Sequence, residues 1–227
     1  MESGQSERCL PRGDSRGKSS EAYEVNSVMK LFGKWDLSEV RVSDPGLERY
    51  INLRPVYVPH SSGRHTKKQF WKSKMSVVER LVNKVMRSGP GTRKIMGKFI
   101  RGRKACGKKI KAMKIVERAF EIIEKKTGEN PVQVLVRAIE NAAPREEITR
   151  VTFGGITYPI AVDCSPQRRV DLALRNIALG AFGRSFRNPA PIEECLAEEI
   201  ILASKYDMKS HAISRKEEIE RIARSAR

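Results

Sequence analysis

The sequence predicts an all-α fold, a six-helix bundle with a protruding two-stranded β-hairpin arm between helices three and four. Apolar residues recur at helical spacing in six segments, and most of these begin at a recognisable N-cap residue. One stretch, residues 150–163, instead alternates like two strands around a Gly-Gly loop. The chain has 227 residues, enough for one domain with a real core plus tails, or for two small domains.

The chain divides into three regions by composition. Residues 1–30 are rich in Ser, Gly and charge and lack apolar periodicity, which is typical of a flexible tail. Residues 31–74 form an irregular basic N-terminal extension, with a possible short strand in PVYVP at 55–59. Residues 75–227 form the helical domain, which carries the β-arm at 146–163.

Each of the first three helices has its own boundary signals. The first begins with a capping box of Ser76 and Glu79 and ends at the Ser-Gly-Pro-Gly sequence of residues 88–91. The second covers residues 108–126, and the third begins at an Asn-Pro cap at 130–131 and closes at Pro144. Their apolar stripes are Val78, Leu81, Val82 and Val85; Met113, Val116, Phe120 and Ile123; and Val132, Leu135, Val136 and Ile139.

The last three helices follow the arm. The fourth starts at Ser165-Pro166 and ends at Gly180 or Gly183, the fifth opens at Pro191, and the sixth starts with a capping box of Ser214 and Glu217. Their stripes are Val170, Leu174, Ile177 and Ala181; Ile192, Cys195, Leu196, Ile200 and Ala203; and Ile219, Ile222, Ala223 and Ala226.

The hairpin has two unlike faces if Gly154-Gly155 is its loop. The facing pairs on the apolar side are Phe153/Ile156, Val151/Tyr158 and Thr149/Ile160. The pairs on the polar and basic side are Thr152/Thr157 and Arg150/Pro159. Because an isolated two-stranded hairpin is marginal in water, we expect the arm to need a binding partner.

The charge balance indicates an anionic partner. Forty-five Lys and Arg against 27 Asp and Glu give a net charge of +18, which makes nucleic acid the first candidate and an anionic membrane surface a weaker second. From Arg80 to Val116 there are thirteen Lys or Arg and no acid, and RHTKKQFWKSK (64–74) adds five more around Phe70 and Trp71. The candidate phosphate-binding residues are Arg64, Lys67, Lys68, Lys72, Lys74, Arg80, Lys84, Arg93, Lys94, Lys98, Arg101, Arg103, Lys104, Lys108, Lys109, Lys111 and Lys114.

Several of these candidates have a plainer alternative. The whole basic face could be merely solvated, and Phe70 and Trp71 are expected to pack in the core or at its rim rather than stack on bases. Arg168 and Arg169 lie at a predicted helix N-terminus, where backbone N–H groups and guanidinium groups can bind phosphate. The alternative is that both arginines pair with Asp171 and nearby acids. The acids of the fifth helix, Glu193, Glu194, Glu198 and Glu199, are expected to face water or protein.

Nothing in the sequence indicates catalysis, a metal site or a cofactor. GDSRGKS (13–19) has three rather than four residues between its glycines and no preceding strand, so it is a poor phosphate loop. The four cysteines have no CxxC spacing, the three histidines have no partner acids, and Cys164 is expected to be a buried thiol. The N-terminus lacks an apolar signal region, so we expect a cytoplasmic protein.

Two long motifs resemble a known family. IVERAFEIIEKKTGENPVQVLVRAIENAAPREE (115–147), FGGITYPIAVDCSPQRRVDLAL (153–174) and the closing KEEIERIARSAR are similar to small-subunit ribosomal protein seven. The resemblance covers residues 35–227. FGKWDL, YINLRPVYVPHSSGRH and the insert between the first two helices resemble the archaeal and eukaryotic branch, with archaeal favoured. Residues 1–30 match nothing in the family.

The resemblance implies a specific role. It implies a non-enzymatic protein that binds the 3′ major domain of small-subunit rRNA, nucleates assembly of the head and contacts neighbouring head and platform proteins without forming a homo-oligomer. It also implies that the arm reaches exit-site tRNA and mRNA. The arm residues that would face them are Arg150, Thr152, Phe153, Gly154, Gly155, Thr157 and Tyr158.

Two other classes of function are weighed against this one. An architectural DNA-binding protein could clasp a duplex with β-arms, although such arms usually carry Arg and Pro at the tip, and here the tip is Gly-Gly. An RNA-modifying enzyme lacks a candidate site.

Overall fold

The chain is described here by a computed structural model that covers residues 29–89, 94–95, 98–99 and 107–227. The helices within these residues are α1 (Pro45–Glu48), α2 (Val77–Val85), α3 (Lys109–Thr127), α4 (Pro131–Ala142), α5 (Pro166–Ser185), α6 (Ile192–Ser204) and α7 (His211–Ser225). The strands are β1 (Lys94–Ile95), β2 (Lys98–Phe99), β3 (Glu146–Phe153) and β4 (Ile156–Asp163), which form two antiparallel pairs. The predicted fold class is confirmed, because the chain is mostly helical and the long hairpin lies between α4 and α5. The short α1 and the β1–β2 pair were not predicted.

The core lies around α6. This helix packs against α3, α4 and α5, while α2 packs on α3 and α5, and α7 packs on α5 and the base of the arm. All three predicted stripes of α2, α3 and α4 point inward, apart from the half-buried Met113. The apolar periodicity therefore identified the core-facing side of α2 to α6 correctly. The stripe predicted for α7 is wrong, because only its Ala223 is buried and Ile222 is exposed, while the helix buries Ala212 and Ile213 instead.

The start of the described chain belongs to the same core. Leu31, Trp35, Leu37, Val40, Leu47 and Ile51 are all buried in one cluster with the helices. Trp35 donates its indole N–H to Glu124 on α3 at 3.0 Å, and its ring meets Phe120 edge-on. The carboxylate of Glu140 on α4 accepts from the backbone N–H groups of Ser43 and Asp44. We call residues 31–51 the strap, because they cross α3 and α4 and are tied to both.

The predicted strand at 55–59 is wrong, since these residues have no strand pairing. The described pairing nearby consists of isolated bridges between Leu31 and Trp35 and between Asn52 and Ser76.

Two predicted helix ends are also wrong, and one predicted capping bond is not formed. Ser76 is the N-cap of α2 as predicted, but its side chain makes no capping bond, and the Glu79 carboxylate accepts from Ser61 and Lys109 instead of from the backbone of Ser76. Helix α5 continues through both glycines to Ser185. Helix α7 begins one turn earlier than predicted, because Ser210 caps it by accepting from the N–H groups of Ala212 and Ile213.

The arm has the predicted register. Thr149 faces Ile160, Arg150 faces Pro159, Val151 faces Tyr158, Thr152 faces Thr157 and Phe153 faces Ile156. Gly154 and Gly155 both adopt positive φ, 58° and 82°, which the two-residue loop requires and which glycine adopts without strain. Each strand has eight residues, so at about 3.3 Å per residue the arm extends roughly 26 Å.

Candidate nucleic-acid interface

The basic segment 64–74 is built from two short 3₁₀ turns, Arg64–Thr66 and Trp71–Lys74. The ring of half-buried Trp71 lies between two ammonium groups, Lys68 at 5.2 Å and Lys74 at 5.4 Å from the ring centroid. Phe70 is 68% exposed and has a positive φ of 64°. The packing prediction is therefore wrong for Phe70, whereas Trp71 is a rim residue whose ring is partly covered by lysines. Positive charge and an exposed aromatic ring occur side by side here, a combination that suits the binding of single-stranded RNA.

A buried carboxylate joins the chain just before this segment to the start of α3. Glu79 on α2 is only 3% exposed, and it accepts from the N–H and hydroxyl of Ser61 and from Lys109. These bonds place Val58 and His60 beside the first turn of α3, across a groove of about 760 Å³. Lys108, Lys111 and Lys114 are exposed around this groove. Two segments that the sequence separates by an insert therefore share one surface.

A second carboxylate, Asp171 on α5, joins the basic segment to α2. Its oxygens lie 2.6 Å from Lys72, 3.2 Å from Arg80 and 3.5 Å from Lys84. Burial tends to raise the pKa of Asp171, but the hydrogen bond from Lys72 and the charges of Lys84 and Arg80 outweigh it, so the pKa is lowered. Asp171 therefore remains ionised and binds all three cations.

Arg80 is inside the protein, which corrects its place among the phosphate-binding candidates. The residue is 1% exposed, and its guanidinium donates to Asp171 and to the backbone oxygen of Tyr50. The spacing of Arg80, Lys84 and Arg87 along α2 suggested a shared outward face, yet the first of them turns inward because α5 provides a carboxylate for it. Lys84 is largely buried beside it, and Arg87 is exposed.

We use the term basic surface for the remaining described candidates around these two carboxylates. They are Arg64, Lys67, Lys68, Lys72, Lys74, Lys84, Lys108, Lys109, Lys111 and Lys114. Of the other predicted residues, Arg93, Arg101, Arg103 and Lys104 lie outside the described residues, and Lys94 and Lys98 are described only as backbone in β1 and β2.

The turn at the start of α5 is held by acids. Arg168 pairs with Glu147 at the base of the arm at 2.5 Å, and Arg169 pairs with Asp44 of the strap at 3.0 Å. Neither pairs with Asp171. The side chain of Arg168 is 56% exposed and that of Arg169 is 13% exposed, so only Arg168 presents its charge to solvent. Ser165 makes no side-chain capping bond.

The arm exposes both of its faces. Val151, Phe153, Ile156, Tyr158 and Ile160 are exposed on the apolar face, and Phe153 at the tip is 79% exposed. On the other face the hydroxyls of Thr152 and Thr157 lie 3.4 Å apart, with Arg150 exposed beside them. The base of the arm is anchored by the Arg168–Glu147 pair and by an ion pair between Arg227 and Glu146.

Three of the four acids of α6 are paired within the protein, and the fourth, Glu194, is exposed. Glu193 binds Arg118, Glu198 binds Lys126 and Arg184, and Glu199 is fully buried against Arg184. Glu199 also accepts from the hydroxyl of Ser210 and from the N–H of Ala212. The sequence analysis expected Glu199, like the other three acids of the helix, to face water or protein, and it missed this structural role. Only its position on the apolar side of α6, between Leu196 and Ile200, could have indicated it.

Structural contacts account for three side chains that could otherwise be candidates for catalysis, those of Cys164, His65 and His211. Cys164 is buried, and burial together with the charge of Glu147 raises the pKa of its thiol to about 11. His65 lies 3.3 Å from the hydroxyl of Ser61, and His211 lies 3.3 Å from the backbone oxygen of Asn176. Across the residues that the structure describes, no three His, Cys, Asp or Glu side chains assemble as a metal site. Within the same residues no helix has the length and apolar character to span a membrane.

One family model matches the chain. The family is described as Ribosomal protein S7p/S5e, and the match covers residues 47–227, which is most of the chain. It begins within α1 and includes every later helix, both carboxylates that organise the basic surface, and the arm.

Proposed function

The chain belongs to the ribosomal protein S7p/S5e family, and from this premise we propose that it binds the 3′ major domain of small-subunit rRNA and nucleates assembly of the head. Membership makes it a small-subunit ribosomal protein that binds rRNA and other ribosomal proteins, in a family that is structural rather than catalytic. The arm, in this proposal, contacts exit-site tRNA and mRNA.

The observation that carries the rRNA proposal is the construction of the basic surface. Lysines from three separate parts of the chain are gathered by two carboxylates, since Glu79 pairs with Lys109 and Asp171 pairs with Lys72 and Lys84. The remaining lysines and Arg64 are exposed around them. Lysines concentrated in this way neutralise neighbouring phosphates of a nucleic acid and release the counterions that were condensed on it. This release is a large source of the affinity of proteins for nucleic acid.

The exposed arm supports the tRNA and mRNA part of the proposal. A hairpin that extends roughly 26 Å exposes apolar and basic side chains that no described part of the chain covers. Its partner must therefore come from the assembled subunit. The polar face, with Arg150 and two threonines, suits a nucleic-acid backbone, whereas the apolar face suits a protein neighbour.

Co-sedimentation tests the proposal directly. Tagged full-length protein in a lysate is expected to migrate with small subunits on a sucrose gradient, and to remain there after nuclease treatment that degrades DNA. Purified protein is expected to bind a transcript of the 3′ major domain more tightly than a transcript of the 5′ domain at the same salt concentration.

The same two measurements identify the competing outcome. Migration with DNA that is lost on DNase treatment would favour an architectural DNA-binding role. Equal affinity for both transcripts would contradict the domain assignment, while leaving membership of the family unaffected.

A further inference from the structure

The Asp171 cluster holds more positive charge than its one carboxylate can balance. Lys72, Arg80 and Lys84 all lie within 3.5 Å of the same carboxylate. Arg175, one helical turn after Asp171 on α5, is exposed and adds a fourth positive charge felt by Lys84. Arg175 makes no ion pair with the described residues.

The cluster is a rigid frame as well as a charged one. The side chain of Arg80 is fully buried, and two of its nitrogens are fixed by Asp171 and by the oxygen of Tyr50. Its Nε is buried and has no hydrogen-bond partner among the described residues. The side chains of Lys72 and Lys84 are 35% and 20% exposed, so both remain partly accessible to solvent, and the Asp171–Arg80 ion pair forms the floor of the cluster.

We propose that this cluster is a binding site for a single phosphate group of small-subunit rRNA, contacted by Lys72, Lys84 and Arg175 over the Asp171–Arg80 floor. The inference rests on the proposed rRNA-binding function and adds a specific subsite to it. A phosphodiester carries the negative charge that the cluster lacks, and lysine and arginine are the usual donors to phosphate oxygens.

The protonation state of Lys84 provides a measurable signature of phosphate binding at this site. Burial, together with the charges of Lys72 and Arg175, lowers its pKa to about 8 against the attraction of Asp171. Arg80 and Arg87 are its nearest charged neighbours on α2, and Glu79 on that helix is turned toward Ser61 and Lys109. A bound phosphate would stabilise the ammonium form, so the pKa of Lys84 rises on binding and the complex takes up a proton near pH 8.

Calorimetry of rRNA binding measures this uptake. Titration of a 3′ major-domain transcript into full-length protein at pH 8, in two buffers of different ionisation enthalpy, is expected to report about half a proton taken up per complex. Affinity is expected to fall about tenfold between pH 7 and pH 9 if the bound pKa returns to its ordinary value near 10.4.

Two variants assign the effect to Lys84. Lys84→Arg keeps the charge at every pH in this range, so its affinity should change less than about twofold between pH 7 and pH 9. Lys84→Met should take up no proton at pH 8. Lys126→Met, which removes an exposed lysine paired with Glu198 on another part of the molecule, should behave as the wild type.

The outcomes separate this inference from the proposed function. If the wild type does not bind the transcript at pH 7, the rRNA-binding proposal itself fails. If it binds tightly but takes up no more protons than Lys84→Met, the phosphate site is wrong and the function stands. Proton uptake with inorganic phosphate but not with the transcript would overturn the assignment to the RNA backbone.

Discussion

Glu199 shows how a single buried side chain joins three helices. It lies on α6, pairs with Arg184 of α5 and accepts from Ser210 and Ala212 at the start of α7. Gly180 of α5 lies against it, and a Cβ added there would be 2.8 Å from the carboxyl carbon and 2.9 Å from the Cβ of His211. The absence of a side chain at residue 180 is what allows α5, α6 and α7 to meet around this carboxylate.

Gly180→Ala is therefore expected to destabilise the protein. The added methyl group must displace either the bonded carboxylate or the backbone of α7, which costs about 1–3 kcal/mol in the free energy of unfolding. Gly183→Ala is the matched control, because it lies in the same helix with nothing within 4 Å of its Cβ position. The control should gain up to about 1 kcal/mol from helix propensity. Urea unfolding measures both, and equal stability of the two variants would contradict this account of Gly180.

Asp171 is expected to make the free energy of unfolding depend on pH in the acidic range. Its folded pKa lies below the ordinary 3.8, so its contribution is present above that pH and is lost as the pH falls through the folded value. Asp171→Asn leaves the buried guanidinium of Arg80 without its counter-charge, and we expect a loss of ~3 kcal/mol at pH 7.

The comparison should be repeated at lower pH. The difference between Asp171→Asn and the wild type is expected to narrow below pH 4, because the protonated wild-type carboxyl no longer balances the cations. Urea midpoints measured from pH 7 to pH 3 would report it. A difference that stays constant over this range would mean that Asp171 contributes packing rather than charge.

Among the elements, the strap is the one whose contribution to stability is most easily tested. Trp35 is 4% exposed and packs edge-on against Phe120. Trp35→Ala is expected to cost ~3–5 kcal/mol in the free energy of unfolding, through lost apolar burial and the cavity left behind. Trp35→Phe keeps most of the packing and removes the bond to Glu124, so it should cost ~1 kcal/mol. Similar costs for the two variants would show that the ring does not pack in the core.

The arm, in contrast, is expected to be dispensable for folding. Deletion of Thr152–Thr157 removes residues that are all exposed, so the urea midpoint and the affinity for the 3′ major-domain transcript should be unchanged. Small subunits that carry the deletion should retain exit-site tRNA less well, if the arm contacts it as proposed. Normal retention and normal frame maintenance in such subunits would mean that the arm is a structural support against a neighbouring protein. Failure of the deleted protein to enter particles would mean that the arm is the anchor.

The elements differ in how well the sequence predicted them, for physical reasons. The register of the arm follows from local chemistry, because a Gly-Gly loop determines which residues face each other on the two strands. The start of α7 does not follow from local chemistry, because Ser210, which caps this helix, is held by Glu199 of α6. The strap was predicted to be an irregular extension, and its burial depends on side chains of α3 and α4 some ninety residues later, such as Glu124 and Glu140.

At the scale of the whole molecule, the sequence predicted that cations would cluster but could not predict which of them face outward. The acid-free window from Arg80 to Val116 correctly drew attention to α2 and the start of α3. Arg80 was misplaced because its partner Asp171 lies 91 residues away. Arg169 likewise pairs with Asp44, 125 residues away. Ion pairs between distant segments thus decide which basic residues are available to RNA.

The salt dependence of rRNA binding is the most direct test of the basic surface. Four lysines of the basic surface are exposed, namely Lys67, Lys68, Lys111 and Lys114. Each phosphate contact contributes about 0.7–0.9 to the slope of log affinity against log salt concentration. Joint replacement of the four lysines by Gln is therefore expected to reduce that slope by roughly 3. The matched control replaces Lys125, Lys126, Arg137 and Lys205 by Gln, which removes the same charge from exposed positions elsewhere. The control should keep the wild-type slope for the 3′ major-domain transcript. Equal slopes for both quadruple variants would contradict the claim that this surface binds the RNA.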